Sequence, residues 1–147
     1  MGRRTVTTLL AAITILTGGC DLQRASSPTS SSDQLEGYLG RWRSADLQQV
    51  TDACQDFDWS LAPDGDGLSG TFSANCDGIL LTGDGTGQLS GDTLQLSVSG
   101  LATTPQGLTC AFQLTGVARL QGNTIRVDYA GSTCIGPLTG TELLQTG

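Results

Sequence analysis

Beyond its N-terminal third, the chain alternates apolar and polar residues with a period of two. Leu94, Leu96 and Val98 alternate with Gln95, Ser97 and Ser99; Ile125, Val127 and Tyr129 alternate with Arg126 and Asp128; Phe57, Trp59 and Leu61 alternate with Asp58 and Ser60. That period puts successive side chains on opposite faces of an extended backbone, so each run reads as a strand with one buried face. Pro63-Asp64-Gly65-Asp66-Gly67, Gly83-Asp84-Gly85, Ser90-Gly91-Asp92 and Gln121-Gly122-Asn123 carry the residues that tight turns require. The pattern predicts about eight strands, over residues 38–44, 53–62, 67–75, 77–83, 86–100, 107–116, 117–130 and 135–144. Short connections favour an all-β, antiparallel up-and-down barrel, with a β-sandwich as the alternative. Asp33-Gln34-Leu35-Glu36 has the form of a capping box and predicts one helical turn. Leu47 and Val50, three residues apart, predict a second short helix over Asp46 to Ala53.

The first residues follow a different logic. Arg3 and Arg4 precede an uncharged run, Val6 to Leu16, whose eleven residues suit the apolar part of a signal peptide. They fall short of the roughly 18 needed for a membrane-spanning helix. Thr17-Gly18-Gly19-Cys20 follows. This arrangement resembles the lipobox of bacterial lipoproteins: Gly18 and Gly19 match its small positions, and Thr17 stands where Leu is usual. The resemblance implies cleavage before Cys20, acylation of its thiol, export, and a lipid anchor in a cell-envelope membrane. Asp21 to Ser32 (DLQRASSPTSSS) reads as a flexible linker with a root-mean-square reach of roughly 20 Å. The expected organisation is a signal peptide over 1–19, the lipidated cysteine and linker over 20–33, and the β-barrel domain over 34–147.

Charge and composition remove whole classes of function. The formal net charge is −7, with seven basic residues, fourteen acidic ones and no histidine. Loss of residues 1–19 removes Arg3 and Arg4 and leaves −9. So acidic a surface disfavours nucleic acid as a partner. Without histidine no Ser-His-Asp triad can form, and without histidine or a C-x-x-C pair no zinc site is expected. Asp64 and Asp66 offer the oxygens that calcium takes, but an EF-hand loop needs further acidic positions. Turn chemistry accounts for them, and neither metal nor cofactor is expected.

Five cysteines are present. With Cys20 assigned to lipid, Cys54, Cys76, Cys110 and Cys134 remain, and four cysteines allow three pairings. An internal repeat selects among them. Cys76-Asp77-Gly78-Ile79-Leu80-Leu81-Thr82-Gly83 and Cys134-Ile135-Gly136-Pro137-Leu138-Thr139-Gly140 both read C-x-G, apolar residues, Thr-Gly. Cys54 lies upstream of Phe57 and Trp59 as Cys110 lies upstream of Phe112 and Leu114. Two copies of one hairpin unit are expected, each stapled within itself as Cys54–Cys76 and Cys110–Cys134.

Leu39-Gly40-Arg41-Trp42 opens the first strand, and Gly-x-Trp before antiparallel hairpins resembles the start of lipocalins and avidins, the calycin-type barrels. The resemblance implies that Trp42 closes one barrel end and that an arginine packs over it, with Arg126 the nearest candidate. Residues 37–144 are also similar to small Cys- and Gly-rich lipoprotein domains of bacteria that carry no known activity, through Gly70-Thr71-Phe72-Ser73 and Thr139-Gly140-Thr141-Glu142-Leu143.

Trp42, Trp59, Phe72, Phe112 and Tyr129 are the candidate lining of a pocket for one small apolar ligand. Glu142 shares parity with Leu138 and Leu144 and is expected to point inward and pair with an arginine; Asp56, Asp58 and Asp128 are the other strand carboxylates. The leading expectation is a membrane-anchored, non-enzymatic β domain that binds a small apolar or amphipathic ligand or an envelope partner. The alternative is a structural or assembly lipoprotein with a filled core. A carboxylate-dependent hydrolase comes third. An enclosed apolar cavity marks the first, a filled interior with an exposed apolar patch the second, and converging carboxylates the third.

Overall fold

The computed structural model describes residues 31–45 and 54–147. One short helix, α1 (Ser31–Glu36), precedes eight strands: β1 (Gly40–Ser44), β2 (Cys54–Asp64), β3 (Gly67–Cys76), β4 (Ile79–Ser90), β5 (Thr93–Thr103), β6 (Thr109–Gln121), β7 (Thr124–Thr133) and β8 (Gly136–Thr146). Each strand pairs antiparallel with the next, and β1 closes on β8, giving an up-and-down barrel. The barrel resolves the choice against a sandwich and is consistent with the calycin-like resemblance. The signal peptide, Cys20, most of the linker and the helix expected over 46–53 lie outside the described residues.

The period-two runs point as expected. Phe57, Trp59, Leu61, Leu94, Leu96, Val98, Ile125 and Val127 are all buried. Strand boundaries differ from the expected ones because Gly83-Asp84-Gly85 is not a turn. It lies inside β4, which runs on to a hairpin at Gly91-Asp92. Likewise β6 continues past residue 116 to the turn at Gly122-Asn123. The glycines of β4 serve packing: Gly83, Gly85 and Gly87 are successive positions on its inner face. A Cβ on Gly83 would collide with the Ser99 carbonyl oxygen, and one on its cross-strand partner Gly100 with that of Thr82. Only hydrogen fits where these backbones approach, and the inner space over Gly85 and Gly87 is taken by Val98 and Leu94 of β5.

The barrel has two unlike ends. At the helix pole lie α1, Tyr38 and the turns at 65–66, 91–92 and 122–123. At the disulfide pole lie the turns at 77–78 and 134–135 and the loop over 104–108. Cys54 joins Cys76 and Cys110 joins Cys134, the pairing that the repeat predicts, and each bridge ties neighbouring strands at this second pole.

Trp42 closes the helix pole as the resemblance implies. Gly40, with φ of 102°, takes a conformation that only glycine adopts readily, which accounts for the glycine of Gly-x-Trp. The arginine expected over Trp42 is replaced: Arg126 lies exposed on the outer wall, bonded to Asp128. Tyr38 covers the pole instead. Its carbonyl accepts a hydrogen bond from Trp42 Nε1 at 3.0 Å, and its hydroxyl donates to the Ala118 carbonyl at 3.3 Å. An arginine on β7 sits at an outward position of the pleat and cannot reach the interior.

Candidate functional site

All five candidate pocket residues are buried in the barrel. They do not form one wall. Trp59 meets Phe72 edge-to-face with ring centroids 5.4 Å apart, and Phe72 lies tilted against Phe112 at 6.2 Å. Phe57, which the sequence places on a strand but not at the candidate site, joins Phe72 at 5.7 Å to Tyr129 at 5.5 Å. Its parity with Trp59 was the available signal. Trp42 lies opposite Trp59 across the β1–β2 pairing and reaches toward the helix pole, against Tyr38 and Leu144. Two voids remain inside, of about 10 Å³ each. A void of that size admits at most one water molecule, so the rings fill the interior.

The larger space near the interior is a half-open, mostly apolar one at the disulfide pole. A cavity of about 170 Å³ opens there between the β3–β4 and β7–β8 hairpins, lined by Ile79, Leu81, Ile135, Pro137 and Leu138 above the half-cystine Cys76. These are the two copies of the C-x-G-apolar repeat, facing each other across the mouth. Strands three and four occupy the opposite side of the ring from strands seven and eight. Ile135 at the mouth is 57% exposed, and toward the same pole Leu80 (49%) and Leu101 (54%) on the outer wall and Leu108 (70%) in the 104–108 loop are exposed as well. Two broader troughs, of about 700 and 510 Å³, lie open on the outer wall over Thr115–Ala130 and Ser99–Gln113.

Charge is distributed unequally between the poles. The described arginines, Arg41, Arg43, Arg119 and Arg126, all lie on the half nearer the helix pole. Two carboxylates hold them. Asp58 accepts from Arg41 Nε at 3.0 Å and lies 3.5 Å from Arg43 Nε. Asp128 accepts the Thr141 hydroxyl at 2.7 Å and pairs with Arg126 at 3.1 Å and Arg119 at 3.2 Å. The Arg41 hydrogen bond holds the Asp58 carboxyl below the usual carboxylate range, and the Thr141 hydroxyl, with Arg126 next, does the same for Asp128. Asp56 sits at a positive-φ bulge where β2 begins, pointing to solvent. Glu142 points inward and is buried, as its parity with Leu144 predicts. Asp64-Gly65-Asp66-Gly67 forms the β2–β3 hairpin turn, with Gly65 at φ of 58°. Among the described residues no three His, Cys, Asp or Glu side chains converge as a metal site requires.

Depressed carboxyls make stability depend on pH. Their contribution is present above the ordinary carboxylate range and lost as pH falls through the lower folded values. Each carboxylate lies between two half-exposed arginines, so solvent screening keeps its contribution small. The double variant Asp58→Asn/Asp128→Asn is therefore expected to lose less stability than the parent between about pH 5 and about pH 2. Urea unfolding at each pH, followed by tryptophan fluorescence, checks this; parallel curves for the two proteins would refute it.

Fold and site together define a filled, closed eight-stranded barrel with one apolar, disulfide-braced mouth. Compared with known proteins, the chain matches no family model, no curated protein and no solved structure.

Proposed function

We propose that this chain is a lipid-anchored envelope protein whose barrel is a non-enzymatic contact module. Residues 1–19 direct export, Cys20 carries the lipid, and residues 21–33 tether the barrel. The disulfide pole then meets an envelope partner. The filled interior carries this reading over a ligand carrier: voids of about 10 Å³ leave no room for a small apolar molecule among the rings. Two disulfides support an oxidising compartment outside the cytoplasm. The tether enters through α1 at the helix pole, so the exposed leucines of the other pole face away from the anchor. Asp58 and Asp128, each bound to arginines and depressed in pKa, are poor general acids, which favours contact over hydrolysis.

Photo-cross-linking in intact cells tests the module. A cross-linking amino acid at position 108 or 135 is expected to capture one partner that the same group at Ser97, on the outer wall, does not. Equal capture at all three positions would overturn the reading. Cys20→Ala is expected to abolish incorporation of an alkynyl fatty acid; undiminished labelling would refute the anchor.

A further inference from the structure

We propose that the mouth cavity is a socket for a single aromatic side chain of the partner, carried next to a basic residue. This rests on the contact-module reading and names the chemistry that reading leaves open.

Size comes first. An apolar cavity of 150 Å³ in another protein holds one benzene molecule, and this mouth offers about 170 Å³. Its walls are Ile79, Leu81, Ile135, Pro137 and Leu138, with no charged group but Asp77. The socket is formed in advance. Cys76 on one wall is tied to Cys54, and Cys134, next to Ile135 on the other, is tied to Cys110. Binding there does not have to order the hairpins, which favours affinity.

The flank is set by charge. Asp77 takes a positive φ of 52° beside Gly78 in a two-residue turn and is exposed at the cavity edge. It makes no ion pair among the described residues, and the described arginines all lie toward the other pole. A lysine or arginine adjoining the inserted ring meets this carboxylate, and the acidic domain attracts basic partners at a distance. Leu80, Leu101 and Leu108 are exposed toward the same pole, outside the socket, and add apolar surface for the rest of the partner.

A second copy of this chain does not fit. The sequence has seven aromatic residues, and Tyr38, Trp42, Phe57, Trp59, Phe72, Phe112 and Tyr129 are all buried. A copy would bring no ring to insert, and it would set its own Asp77 against this one.

Methyl NMR of the full chain, purified with both disulfides intact, tests the socket with three blocked dipeptide amides: Phe-Arg, Phe-Glu and Ala-Arg. Phe-Arg is expected to shift the methyls of Ile79, Leu81, Ile135 and Leu138, with a Kd of about 1 mM, and to leave those of Leu94 and Val98 in place. Ala-Arg should shift none of them. Phe-Glu should bind about threefold more weakly, and Asp77→Asn should erase that difference, since one exposed charge contributes up to about 1 kcal/mol. Leu138→Phe, filling the socket, should abolish all binding; the exposed Asp77→Asn variant keeps the test decisive if that barrel fails to fold. No mouth shift at about 10 mM Phe-Arg, an equal response to Ala-Arg, or shifts with phosphatidylcholine vesicles in place of the dipeptides would overturn the socket. If those results coincide with persistent cross-linking at 108 and 135, the aromatic anchor falls and the contact module stands. Loss of the cross-links removes the module itself.

Discussion

Replacing Cys54, Cys76, Cys110 and Cys134 together by alanine is expected to leave a barrel that barely folds. Each bridge closes a loop of just over twenty residues, for which loop-closure entropy gives about 3 kcal/mol. Two bridges contribute on the order of 6 kcal/mol, against a total of about 5–15 kcal/mol for a domain of this size. The buried rings and aliphatic side chains must offset the chain entropy alone once the bridges are gone, and the glycines on the inner face of β4 add no side chain to that core. Either bridge removed alone should lower stability by about 3 kcal/mol, measured by urea unfolding. The two should also differ in accessibility. Cys54 and Cys76 are both buried, whereas Cys134 is exposed and Cys110 half-buried. Mild reductant with alkylation and mass spectrometry should therefore tag positions 110 and 134 first. A four-alanine variant that unfolds at the parent's urea midpoint would refute the framework.

The second large effect is expected at Trp42. Truncation to alanine removes the ring that seals the helix pole and should cost about 3–5 kcal/mol, the range for a buried large aromatic. The loss reaches beyond the ring, because Trp42 Nε1 holds the Tyr38 carbonyl, and Tyr38 is the lid. Trp42→Phe keeps most of the bulk and should lose about 1 kcal/mol more than shape alone dictates, for the missing hydrogen bond. Trp59 provides the contrast. Its indole nitrogen is buried with no hydrogen-bond partner among the described residues, so Trp59→Phe should be tolerated better than Trp42→Phe. Thermal or urea unfolding of the three variants decides this; equal losses for both phenylalanine substitutions would mean that the Tyr38 bond contributes nothing.

These effects show what the sequence makes legible. Strand faces follow from the two-residue period, because burial on one side of a pleat leaves a direct trace in residue order; Leu94, Leu96 and Val98 are the plainest case. The bridges were legible because a duplicated hairpin repeats its cysteine spacing. Turns were only partly legible. Gly83-Asp84-Gly85 has the composition of a turn, yet its glycines answer to the backbone of β5 and to Val98, which residue order does not reveal. Arg126 shows the same limit: the strand was right, but its outward parity excludes a role inside the barrel. The mouth cavity was hidden for a further reason. Its two walls lie more than fifty residues apart, and only closure of the barrel brings the repeats face to face. The repeat itself was visible; that its two copies would become opposite walls of one cavity was not.

The seam between β1 and β8 governs the order in which the domain can be completed. Every other pairing joins strands that are consecutive in the chain, so hairpins from β2 to β8 can zip locally and early. Strand β1 is synthesised first and must wait for the last. Until Leu144 and Thr146 arrive to pair with Ser44 and Trp42, the meander is an open sheet with two unpaired edges. The time before this seam closes is therefore the interval of greatest exposure to aggregation for this chain. It ends when the final strand of the domain is delivered.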